Sequence, residues 1–242
     1  GFAVPADSPI QTIADLRGKK IGLTAMSSAG LIVARALVAA QGMNPDTDVS
    51  IVVAGEGAQT AALMRSKQVD ALSQFDTQYA MVENTGFKLR LLDTSEISKF
   101  PSNGIIALDE TLAARRKDAV AVAKGYAMGS MFAIANPEAA VRMFWEVFPQ
   151  AKSLGKDEAT ALKDDIAVLS ARSRNWKLEA GGASKWGESV PANYQAYLDW
   201  LVKAGVLKEN AKATDLISND LVDEINQFDV AAVQAAAKNW KP

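Results

Sequence analysis

Gly18-Lys19-Lys20-Ile21-Gly22-Leu23-Thr24-Ala25-Met26-Ser27-Ser28-Ala29-Gly30 is the stretch on which the fold turns. Ile21 to Thr24 is short, apolar and preceded by a glycine, which predicts a buried parallel strand. Beyond the turn, apolar residues recur at Leu31, Ala34, Leu37 and Val38, and Gly42 follows. That spacing predicts a helix with a glycine just past its end. Between strand and helix lie small polar residues whose backbone N–H groups have no intrahelical partner, at the positive end of the helix dipole. Such a turn suits an anionic or strongly polar group. Ser27 or Ser28 equally suits the role of helix cap.

Outward from this unit the chain repeats the pattern. Phe2-Ala3-Val4-Pro5 resembles the end of a strand, and Pro9 sets up a short helix from Gln11 to Leu16. Val49 to Val53 is a β-branched strand, and Gly55-Glu56-Gly57 leads into a helix ending near Lys67. Val69 to Leu72 is a third strand, with Asp76 capping a helix from Thr77 to Thr85. Phe87 to Leu92 and Asn103 to Leu108 are read as a fourth and a fifth strand. Alternating β and α elements predict an α/β lobe with a mostly parallel sheet. After Asp109 the pattern becomes helical, over roughly 112–135, 137–148, 156–170 and 191–204, with Asn136 and Pro137 forming a good helix start. All five tryptophans (Trp145, Trp176, Trp186, Trp200, Trp240) lie in this part. Arg174 to Ser189 is the one long irregular loop.

Composition limits the function. The chain has 242 residues, is 49% hydrophobic and carries a formal charge of -2. That is enough chain for one large domain or two lobes, and no electrostatic reason to expect nucleic acid as a partner. Neither cysteine nor histidine occurs, which removes thiolate chemistry, ordinary zinc sites and the commonest general base. No cofactor or metal is expected. No apolar run approaches membrane-spanning length. Met26 to Gly30 looks like a nucleophile elbow around Ser28, but its first glycine is replaced and no histidine exists to act as base. Gly55-Glu56-Gly57-Ala58-Gln59-Thr60 lacks the third glycine of a dinucleotide fingerprint. Arg115-Arg116-Lys117 reads as a solvated face. Ligands of α/β lobes sit beyond strand ends, where Ser27-Ser28, Gly55-Gly57 and Gln74-Asp76 converge.

Val4-Pro-Ala-Asp-Ser-Pro-Ile-Gln-Thr-Ile-Ala-Asp-Leu-Arg-Gly-Lys-Lys-Ile-Gly, the Ser-Ser turn and Ala34-Arg35-Ala36-Leu37 together resemble the alkanesulfonate/taurine/nitrate-type solute-binding proteins of ABC importers. Lys67-Gln68-Val69-Asp70-Ala71 with Asp76 beyond it, and Ala135-Asn136-Pro137-Glu138-Ala139-Ala140, extend the likeness to most of the chain. The resemblance, which includes the thiamine-pyrimidine-synthase-like domain, implies a two-lobed type II periplasmic-binding-protein fold crossed twice by the chain. Residues 6–105 would form one lobe. Residues 1–5 and 106–242 would be a hinge strand and the helical remainder of the other. Members begin with a secretion signal and first-lobe strands, whereas this chain begins at the first crossing, as though its N-terminal segment were lacking. Met128, Met131, Phe132, Phe144, Trp145 and Trp200 are then expected to have apolar faces without a sheet beneath them.

The function implied is non-catalytic capture of a small organic anion or polar metabolite in an interlobe cleft, for delivery to ABC permease subunits in the membrane. The protein would be periplasmic or lipid-anchored outside the cytoplasm, and monomeric when full length. Ser27, Ser28 and the Ala29 N–H would hold an anionic head; Gln74, Asp76 and Thr77 would add polar contacts, and Asn103 would reach the cleft. The ligand stays open among sulfonate, nitrate-like and amine-bearing molecules. The alternative is a ligand-sensing effector domain of a regulator or receptor with the same fold. Enzymes of related folds, thiamine-pyrimidine synthases and desulfinases, imply a working histidine or cysteine, and this chain has neither.

Overall fold

The computed structural model describes residues 1–153 and 155–241. The chain divides into two compact units: Gly1–Ser98 with Ala196–Ala211, and Lys99–Gln195 with Lys212–Pro242.

The first unit is built on one sheet of five strands among the described residues: β1 (Phe2–Pro5), β2 (Lys20–Leu23), β3 (Ser50–Val53), β4 (Ala71–Ser73) and β5 (Leu89–Leu91). Its order is β3-β2-β4-β1-β5. β2 runs parallel to β3 and β4, as the alternating pattern predicts, but β1 is antiparallel to both β4 and β5. The sheet is therefore mixed rather than mostly parallel. Residues 2–5, read as a hinge strand, thus pair inside this sheet.

The two-residue period of a strand sorts the core. Phe2, Val4, Ile21, Leu23 and Ala71 join the cluster that includes Leu37 and Val38 of α1 (Ala29–Ala40). Ala3 and Leu72 join Ala61 and Met64 of α2 (Gly57–Arg65) and Tyr79 and Val82 of α3 (Asp76–Glu83). Both faces of the sheet are covered. Gly22 sits where the second face is tightest: a β-carbon there would lie 2.8 Å from Val69 and 2.9 Å from Ala54. Trp200, expected to lack support, packs against the first cluster instead.

The second unit is helical. It contains α4 (Asp109–Ala135), α5 (Pro137–Val147), α6 (Glu158–Ser173), the first residues of α7 (Pro191–Lys203), α8 (Val222–Ile225) and α9 (Val230–Asn239). α4 breaks from helical geometry at Arg115 and packs on α5, α8 and α9. Asn136 caps α5, accepting from Ala139 N–H at 3.0 Å, with Pro137 in the first helical position. Its amide also donates to Ala237 O of α9 at 2.9 Å.

Trp145 was expected to face empty space. It is buried against α6, and its indole N–H donates to Asp165 Oδ2 at 2.8 Å. Met128, Met131 and Phe132 are half-buried, and Phe144 is half exposed beside Phe148. The fifth strand expected over 103–108 does not form. Those residues carry no regular structure, and Ile106 is 95% exposed. The β-branched pattern is present there, but a strand needs a neighbour to bond.

Candidate functional site

The carboxyl ends of the parallel strands β2, β3 and β4 each lead directly into a helix N-terminus. At the end of β2, Ser28 is the residue before α1, as the sequence suggests, yet its hydroxyl makes no cap hydrogen bond. Ser28 Oγ is shielded from solvent and, among the described residues, has no hydrogen-bond partner. Ser27 and Ala29 are exposed and Ser28 is half-buried. Among the described residues, no side chain therefore caps the N-terminus of α1 in the way a capping serine would.

The turn is held against the end of β4. Ser73 Oγ donates to Gly30 O at 2.9 Å. A β-carbon on residue 30 would lie 2.3 Å from the Ser73 carbonyl oxygen and 3.5 Å from Ser28 Oγ. Only glycine permits so close an approach of helix to strand, and it brings the serine turn beside the residue that follows Ser73.

That residue is Gln74, only 4% exposed. Its Nε2 donates to Gly55 O at 2.8 Å, tying the end of β4 to the end of β3. Its Oε1 has no hydrogen-bond partner among the described residues. A buried amide oxygen left unbonded costs roughly 1–3 kcal/mol, so the side chain is held ready to accept a hydrogen bond. The Gln74 N–H donates to Tyr79 Oη at 2.9 Å, and Tyr79 donates on to Gly1 O at 2.7 Å. Burial pushes the Tyr79 phenol up from its ordinary value, which keeps it protonated and a structural donor. Thr60 Oγ1 donates to Ala54 O at 3.1 Å, closing the β3 side.

Asp76 is not the cap of the third helix. It is the first residue of α3, with Phe75 in the cap position. Phe75 N–H donates to Gln78 Oε1 at 2.8 Å, and Gln78 Nε2 donates to Glu56 Oε1 at 2.9 Å. Asp76 Oδ1 accepts from the N–H of Thr77 at 2.7 Å. Asp76 lies at a helix start where the dipole favours a carboxylate. Ser27, Ser28, Ala29, Gln74, Asp76 and Thr77 thus all stand at one end of one sheet. Asn103 belongs to the second unit and is exposed. Sequence reading overlooked Ser73, Thr60 and Tyr79. Each is a polar residue at a strand end or in a first or second helical turn, and only the spatial neighbour shows what it bonds.

Comparison with known proteins places this architecture. No curated protein matches the chain. Among solved structures, one from Bordetella bronchiseptica RB50 shares the fold: 21% identity, a TM-score of 0.60, and coverage of 99% of this chain and 71% of that one. The alkanesulfonate-binding protein SsuA from Xanthomonas axonopodis pv. citri bound to MOPS aligns at 19% identity, with a TM-score of 0.41, over 90% of this chain and 68% of its own. The periplasmic aliphatic sulphonate binding protein SsuA from Escherichia coli aligns at 15% identity, with a TM-score of 0.47, over 100% of this chain and 65% of its own. The α/β class expected of a type II periplasmic-binding-protein fold is what the structure shows, with one sheet and many helices. The NMT1/THI5-like family model matches residues 1–140. That span contains every motif on which the sequence resemblance rests, from Val4 through Lys67-Gln68-Val69-Asp70-Ala71 to Ala140. The chain belongs to the NMT1/THI5-like family.

Proposed function

We propose that the chain binds a small organic anion or polar metabolite without transforming it, as the binding component of an ABC importer. The observation that carries this reading is the pair of unpartnered, solvent-shielded oxygens, Ser28 Oγ and Gln74 Oε1, at strand ends clamped together through Gly30. A helix N-terminus with free N–H groups favours the anionic part of a ligand, and a hydroxyl is able to donate to it as well. Gln74 Oε1, an acceptor, and the neighbouring carboxylates of Asp76 and Glu56 favour a ligand that also carries a donor. A sulfonate with an amine or hydroxyl group meets both demands, and taurine is one small example.

In this reading Ser27, Ser28 and Ala29 N–H take the anionic head, while Gln74, Asp76 and Thr77 take the donor. Asn103 enters from the family resemblance alone, as do the lobe limits 6–105 and 106–242. Delivery to membrane permease subunits, an extracytoplasmic location and a monomeric full-length protein follow from the same resemblance. Among the described residues no helix is long and apolar enough to cross a membrane.

Calorimetry with taurine, ethanesulfonate and nitrate tests the reading. Ser28→Ala is expected to weaken the preferred anion by about 1.5–3 kcal/mol, the worth of a hydrogen bond to a charged group. Ala29→Leu is expected to weaken it by blocking the turn. Undiminished affinity in both variants removes this turn as the site.

A further inference from the structure

The irregular loop of the second unit, 174–189, is far better fastened than a connection between two helices requires. It contains one short 3-10 turn, Leu178–Gly181, and is otherwise irregular. Ser189 N–H donates to Asn219 Oδ1 at 2.8 Å, and Asn219 Nδ2 donates back to Ser189 O at 2.9 Å. Trp186 N–H donates to Asn226 Oδ1 at 3.1 Å, and Asn226 Nδ2 returns to Trp186 O at 2.9 Å. Each asparagine reproduces the two-bond exchange of an antiparallel strand pair. Between them the Glu188 carboxylate accepts from the Ser184 N–H, the Ser184 hydroxyl and the Lys185 N–H. Gly181 O accepts from Asn193 Nδ2 at 2.7 Å.

The loop so fixed frames a recess of about 510 Å³ with α4 and α9, within the range of small-molecule sites. Its apolar wall is Trp176, Trp186, Met131 and Ile134. Lys177 comes from the loop and Lys238 from the last turn of α9, against one acidic lining residue, Glu179. Among the described residues, neither lysine has an ion-pair partner and neither indole N–H has an acceptor. A wall of two indoles, one of them on a backbone held at both its N–H and its C=O, with an excess of cationic charge selects for shape and charge together.

We propose that this recess is a second binding site, for a planar apolar molecule carrying one carboxylate or sulfonate. The ring lies against Trp176 and Trp186, and the anionic group lies at Lys177 and Lys238. Every residue of the site belongs to the second unit.

The test uses 2-naphthalenesulfonate, with 2-naphthol and 2-naphthylmethylammonium as uncharged and cationic controls, followed by calorimetry and tryptophan fluorescence. The sulfonate is expected to bind one-to-one and at least tenfold tighter than either control. Lys238→Glu, on an exposed position of α9, is expected to weaken it tenfold or more. Trp186→Leu is expected to do the same, and Asn226→Ala, which loosens Trp186 without removing it, to weaken it less. All titrations are made in an Ala29→Leu background, which blocks the serine turn and so separates failure here from failure there. Equal binding of all three probes, as at a general apolar surface or a peptide-docking groove, overturns the proposal. So does unchanged sulfonate affinity in Lys238→Glu, which stands even if Trp186→Leu does not fold.

Discussion

The two units bury their apolar residues by different means. In the first, a sheet covered on both faces leaves Phe2, Val4, Leu16, Ile21, Leu23, Leu37 and Leu72 with no exposure at all. In the second, helices bury one stripe each, as in the small cluster of Val141, Trp145 and Ala161, while Val122, Met143 and Val147 of α4 and α5 stay exposed. A strand offers two faces to its neighbours, whereas a helix packed on one side keeps its other side for something else. The second unit makes up part of the difference with polar fastenings. Asn136, Asn219, Asn226 and Asp165 each tie one segment to another through a side chain.

If that contrast is real, core truncation in the first unit has the largest effect. Leu37→Ala is expected to cost about 2–5 kcal/mol, the range for a fully buried leucine, measured by denaturant unfolding. A loss below about 1 kcal/mol would mean that the sheet's cover is looser than described. Gly30→Ala follows at about 1–3 kcal/mol, because the added carbon must push helix from strand at the Ser73 carbonyl. In the second unit, Trp145→Phe keeps most of the packing, removes the bond to Asp165 and weakens the contact of Lys152 Nζ with the ring. It is expected to cost about 1–2 kcal/mol, and a larger loss would show that polar ties matter more there than helix packing.

Acid is expected to act on the loop before it acts on the sheet. Hydrogen bonds from Ser184 and Lys185 hold the Glu188 carboxyl below its ordinary value. Their contribution is present above that ordinary value and disappears as pH falls through the lowered one. Amide exchange at Ser184 and Lys185 should accelerate over that interval while β2 stays protected; simultaneous loss in both places would erase the distinction. The smallest effect belongs to Ile106→Ser. With the side chain 95% exposed, the change is expected to stay within about 0.5 kcal/mol, and a clear destabilisation would reveal contacts at that position.

Local signals in the sequence were enough for β2, α1, the glycine beyond α1, and the Asn136-Pro137 start of α5. Each depends on periodicity or on a cap within a few residues. The antiparallel sense of β1 was not legible, because it depends on pairing with strands remote in the chain. The strand read over 103–108 shows the converse: β propensity without a neighbour leaves an extended, exposed segment. For the site, the serine turn and Gln74 were visible as polar residues at strand ends. The clamp through Gly30 was not, since a glycine in a helix gives no hint of the carbonyl it must approach. The asparagine fastenings of the tryptophan loop were equally hidden, as Asn219 and Asn226 lie far from the residues they hold.

The position of β1 also sets an order of events during synthesis. It lies between β4 and β5, with Phe2 opposite Ser73 and Pro5 opposite Leu89. β2 and β3 are able to pair as soon as the residues near Val53 leave the ribosome. β1, made earlier, has to wait for both of its neighbours. Until then Phe2 and Val4 are apolar and lack their partners in the sheet, a state open to association with other molecules. Non-local closure of this kind is slow, so the nascent chain depends on whatever shields that strand until Leu91 has emerged.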